Sequence, residues 1–116
     1  MAKFLFVYRG GEGDDAEMSP EEMQQIIQVW TDWIEGGTKA GWIVDGGTGL
    51  KPVGKVVHPD LTVTDGPFAE AKELVGGFSI VEADGLAAAS EIAKGCPMPA
   101  SGGTVEVREF MDYSME

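Results

Sequence analysis

An antiparallel β-sheet carrying two helices on one face is the α+β architecture that this sequence predicts, and three observations predict it. The elements run strand, long helix, hairpin strands, strand, helix, strand, which segregates the helices onto a sheet of adjacent strands. The chain has 116 residues, no internal repeat and no linker long enough to divide it, so a single domain over residues 1–116 is expected. Its apolar fraction is 43%, with three Trp, five Phe and two Tyr, which is enough ring and aliphatic surface to build one core.

Phe4-Leu5-Phe6-Val7-Tyr8 is an aromatic and β-branched run ended by glycines, a strand with apolar cover on both faces. Alternation puts Leu5 and Val7 on one face and Phe4, Phe6 and Tyr8 on the other. We expect the aliphatic pair under the helices and the rings on the open face. Gly10 to Met18 is acidic and reads as a loop. Ser19-Pro20-Glu21-Glu22 then starts a helix, with Ser19 as N-cap, Pro20 in the first helical position and Glu22 completing a capping box. Met23, Ile26, Ile27, Trp30, Trp33 and Ile34 follow the spacing of one helical face. That period carries the helix through Gly36 and Gly37 to Ala40, where Gly41 stops it.

Trp42-Ile43-Val44 predicts a short strand, and Asp45 to Gly49 a turn. Val53 to Val57 and Leu61 to Thr64 form a hairpin around His58-Pro59-Asp60. Leu74 to Glu82 is the next strand, in which Gly76-Gly77 marks a bulge. Asp84 is the expected cap of a second helix through Leu86, Ala89, Ile92 and Ala93, stopped by Gly95 and Pro97. Thr104 to Phe110 alternates as a half-buried strand. With Val105 and Val107 toward the helices, Glu106 and Arg108 point outward beside Phe4, Phe6 and Tyr8.

Charge excludes several classes of partner. Eight basic against twenty acidic residues give a net charge of −12, which repels phosphate backbones and anionic membranes, so neither nucleic acid nor a membrane is an expected partner. No segment has the roughly 20 apolar residues of a membrane helix, and the first residues are too short for a signal sequence, so a cytoplasmic location is expected. The single Cys96 fits a reducing compartment. One His and one Cys cannot assemble a zinc site of nitrogen and sulfur ligands, and no calcium-loop spacing occurs; neither metal nor cofactor is called for. Gly49 to Lys55 approximates a phosphate-binding loop, but Val56 stands where the hydroxyl belongs and Pro59 blocks the following helix. His58 reads as a solvated turn residue, and Cys96 as a packed small side chain whose thiol the end of the preceding helix holds protonated.

Asp65-Gly66-Pro67-Phe68-Ala69-Glu70 reads first as a turn, in which Asp65 accepts backbone hydrogen bonds, Gly66 permits a positive φ and Pro67 sets the exit direction. This stretch, with Val63-Thr64 before it, Lys72-Glu73 and Gly76-Gly77-Phe78 after it and the closing Val105-Glu106-Val107-Arg108, resembles the DGPF-motif branch of the YCII-related family over most of the chain. The resemblance implies a ferredoxin-like fold of the dimeric α+β barrel type, a homodimer joined through its sheets, and an active-site cleft near the interface. The His-Asp pair suggested for relatives has no counterpart, since Glu22 occupies the first-turn region and His58 lies in a hairpin.

Two functional expectations follow. The first is a small-molecule enzyme or ligand-binding protein with its cleft on the open sheet face, in which Asp65 accepts a proton while Tyr8, Lys72 and Arg108 bind substrate, the two cations holding an anionic group. The second is a non-catalytic accessory protein in transcriptional regulation. A closed pocket favours the first and a shallow groove the second.

Overall fold

The computed structural model describes residues 1–10, 19–66 and 73–112. Strands β1 (Ala2–Gly10), β2 (Ile43–Asp45), β5 (Val75–Ala83) and β6 (Gly103–Glu109) form one sheet in the order β2-β5-β1-β6, and β3 (Gly54–Val57) and β4 (Val63–Gly66) form a separate hairpin. Every pairing is antiparallel. With the hairpin set aside as an insertion, this is the ferredoxin-like strand order, its first and third strands in the middle. The helices are α1 (Pro20–Ala40), α2 (Leu86–Lys94) and a single turn, α3 (Pro97–Ala100), which Pro97 opens and which the sequence reading did not anticipate.

Helix α1 begins and ends where its caps demand. The Ser19 side chain accepts the Glu22 N–H at 3.1 Å, filling one orphan donor of the first turn. Gly41 closes the helix at φ +93°, donating its N–H back to Gly37 and Thr38. Gly37, a weak point by propensity, is the buried residue of the helix, because a β-carbon there would stand 2.6 Å from the side chains of Ile43 and Trp42. Its absence lets α1 and β2 approach. Helix α2 starts at Gly85 without a side-chain cap, so the expected role of Asp84 is not filled.

The orientation of β1 is the reverse of the expected one. Phe4 lies opposite Val81, Phe6 opposite Ser79 and Tyr8 opposite Gly77; all three rings face the helices and are buried. Leu5 and Val7 instead lie on the open face with Ile80 and Phe78, their partners across β5. Alternation separates the two sets but does not say which faces inward. Volume decides it, since α2 presents the small Ala89 and Ala93 to the core and the rings fill the space those leave. Val105 and Val107 lie opposite Tyr8 and Phe6 and follow them inward, so Glu106 and Arg108 do point outward, but beside Leu5 and Val7.

The glycine pair in β5 works as its composition suggests. Tyr8 pairs with Gly77 while Arg9 pairs with Val75, so Gly76 is the extra residue of a bulge. Gly54 and Lys55 open a strand, not the helix of a phosphate-binding loop. Among the described residues, no helix is long and apolar enough to cross a membrane.

Candidate functional site

Helix α1 leaves a groove between itself and the sheet, with a cavity volume of about 1090 Å³. One wall is the inner stripe of α1, including Ile26, Trp30 and Ile34; the other is backbone of Gly46 to Gly49 and of Gly76-Gly77, and Met98 and Ser101 close the end. Tyr8 and Ser79 lie at its floor.

The glycine wall is dictated by close packing. Gly47 has φ +70°, and a β-carbon on it would fall 1.7 Å from the Phe78 carbonyl oxygen, so no other residue fits there. Its N–H donates to the Asp45 carboxylate at 2.8 Å, which holds the turn. A β-carbon on Gly77 would in turn meet the Thr48 carbonyl at 2.9 Å. Two backbones therefore lie in contact, and their peptide groups line this side of the groove.

At the floor, the Tyr8 hydroxyl donates to Ser79 Oγ at 2.8 Å, and Ser79 donates to the Gly46 carbonyl at 2.7 Å. Ser79 is fully buried, and this relay satisfies it. Burial pushes the Tyr8 phenol far above its ordinary value, overriding the opposite effect of the Ser79 hydrogen bond, with the nearby Cys96 thiol adding to the rise. Tyr8 is consequently a hydrogen-bonding acid here and never a phenolate near neutral pH. The aromatic set continues from the floor into α1: Tyr8 meets Trp30 edge-on at 4.8 Å, Trp30 meets Trp33 at 6.0 Å, and Trp33 meets Trp42 at 5.3 Å between ring centroids. Burial likewise raises the Cys96 thiol, more than its backbone hydrogen bonds lower it, which disfavours the reactive thiolate.

The residues singled out from the sequence do not converge. Tyr8 lines the groove, on the helix side of the sheet, whereas Arg108 lies on the opposite face, largely exposed and 3.9 Å from Glu106. Arg9 is the closer partner of Glu106, at 3.1 Å, and it also donates to the Glu73 carbonyl at 3.0 Å. Asp65 is a strand residue of β4, opposite Lys55 and ion-paired with it in solvent, not the turn residue expected. Lys72 and the Pro67-Phe68 part of the motif lie outside the described residues. His58 closes the hairpin, its ring nitrogen 2.8 Å from Thr64 Oγ1. Among the described residues no three His, Cys, Asp or Glu side chains gather as a metal site.

Sequence reasoning missed Ser79, the groove-facing role of Trp30 and the paired glycine backbones. Ser79 is a lone hydroxyl in an apolar strand, a visible signal, but its partners are set by a register that only the fold supplies. No curated protein matches the chain. Among solved structures, one that it resembles is 5-chloro-2-hydroxyhydroquinone dehydrochlorinase from Burkholderia phenoliruptrix AC1100, in complex with 2,5-dihydroxybenzoquinone, at 16% identity and a TM-score of 0.47 over 93% of each chain. The family model of the YCII-related domain matches residues 13–114. With nearly its whole length matched, the chain belongs to the YCII-related domain family.

Proposed function

We propose that this protein binds a small organic molecule in the groove between α1 and the sheet, as an enzyme or as a ligand-binding protein. The observation that carries the reading is a mostly apolar groove of about 1090 Å³ that, although open along one side, runs down to a buried polar pair, Tyr8 and Ser79, at its floor. Sites for small ligands combine apolar walls with a few placed polar groups in this way. Tyr8 serves there as a neutral hydrogen-bonding group, its proton held by burial and already donated to Ser79, and Asp65 on its exposed hairpin is not positioned to reach the groove. The Asp65-Gly66-Pro67-Phe68 stretch supports membership of the DGPF-motif branch. We place the protein in the cytoplasm, in keeping with its single, buried, unpaired cysteine. We propose further that two copies pair through the open sheet faces around Leu5, Val7, Phe78 and Ile80, which leaves both grooves on the outer sides of the dimer.

Native mass spectrometry of the purified protein, before and after denaturation, tests the binding reading. We expect a small organic mass that the native protein retains and that Trp30→Ala releases. Retention unaffected by Trp30→Ala would move the site out of the groove.

A further inference from the structure

We infer that the ligand of this groove is a cation, an ammonium group borne on an apolar or aromatic body; the inference rests on the binding reading above and names its ligand class. Among the described residues lining the groove, Glu22 is the one carboxylate, and no Lys, Arg or His joins it. Tyr8, held protonated by burial, adds no positive charge. An anionic ligand would therefore leave water for a site with no cation to meet it, at a cost that hydrogen bonds from peptide groups alone offset poorly. The N-terminal turn of α1 is the one feature that would favour an anion, and Glu21 and Glu22 already occupy that end while Ser19 takes the Glu22 N–H. For an ammonium group the balance reverses. Glu22 stands at the rim of the same wall, two turns before Trp30 on α1, and Tyr8 meets Trp30 below, so the ammonium group meets the carboxylate while its apolar body lies along the wall toward the rings. The net charge of −12 draws cations toward the whole molecule and repels anions.

Benzylamine, benzyl alcohol and benzoate share one ring and differ in charge, so ligand-observed NMR titrations of the full chain with each separate charge preference from apolar binding. We expect benzylamine to bind at least about fivefold more tightly than benzyl alcohol, benzoate to bind most weakly, and added salt to narrow the difference. Glu22→Gln keeps a side chain suited to its place in the helix cap and should reduce the preference for benzylamine over the alcohol. Benzoate binding as tightly as benzylamine, or a preference that survives Glu22→Gln, would overturn the inference. Equal binding of the alcohol and the amine, abolished by Trp30→Ala, would overturn it while leaving the groove reading intact. Binding of none of the three would overturn both.

Discussion

Tyr8, Ser79 and Cys96 are three side chains that the fold buries almost completely. Each is polar, and each is placed inside by its neighbours: Tyr8 and Ser79 by strand alternation, Cys96 by the turn between α2 and α3. Burial raises the proton affinity of both the phenol and the thiol in the folded state. The sign of the resulting pH dependence follows from linkage: below their ordinary values of 10.0 and 9.0 both groups keep their protons whether folded or unfolded, and stability does not depend on them. Above those values the unfolded chain gives up protons that the folded chain retains, so stability is lost as pH rises. We expect the urea midpoint to hold steady from neutral pH to about pH 8 and to fall above about pH 9, with Tyr8→Phe removing the steeper part of that fall. A midpoint flat through this range would mean that water reaches both groups in the fold.

At the scale of elements, α1 and the β3–β4 hairpin answer to different forces. The caps and the apolar stripe of α1 are written in its own residues, and Gly37 seats the helix against β2. The hairpin has no such seat. All its strand residues but Gly66 are exposed, its valines included, and a two-stranded hairpin is marginal unless something covers it. The Lys55–Asp65 pair crosses it in solvent, where ion pairs contribute little. Asp65→Ala is accordingly expected to leave the thermal melting temperature unchanged. A substantial fall would show that the hairpin is docked and that Asp65 helps to dock it.

Across the whole molecule, the chain exposes 8342 Å², where a folded monomer of 12.3 kDa exposes about 6,100 Å². Its radius of gyration is 15.9 Å, against about 13 Å for a compact domain of this length. Among the described residues the exposed large apolar side chains include Ile26, Ile27 and Val29 on α1 and Val56, Val57 and Val63 on the hairpin, while those of the open sheet face are half-buried. The open sheet face has Leu5, Val7, Phe78 and Ile80 at its apolar centre and Arg9, Glu106 and Arg108 at its side, and it is the face we propose for a twofold pair. We expect light scattering at low micromolar concentration to give the mass of a dimer, and Val7→Glu to give that of a monomer with an unchanged circular dichroism spectrum. A monomeric wild type would sink the dimer proposal. Phe6→Glu is no substitute for this test, because Phe6 is buried beneath the helices and a carboxylate there would unfold the protomer first.

Local signals carried the elements. Ser19-Pro20 and Gly41 mark the ends of α1, the glycine pair marks the bulge of β5, and the turn residues around Pro59 mark the hairpin, because each acts on its own backbone within a few residues. The YCII-related family was legible in short segments spread from Val63 to Arg108, each readable without knowledge of the fold. Tertiary structure alone decided which face of β1 turned inward, because a period of two is the same seen from either side and only the small inner residues of α2 break the tie. That one choice moved Tyr8 from the open face into a groove, parted it from Arg108, and brought Ser79 within hydrogen-bonding distance across a separation of 71 residues. The site is made of such non-local meetings, and a strand's own residues do not encode what will lie opposite them.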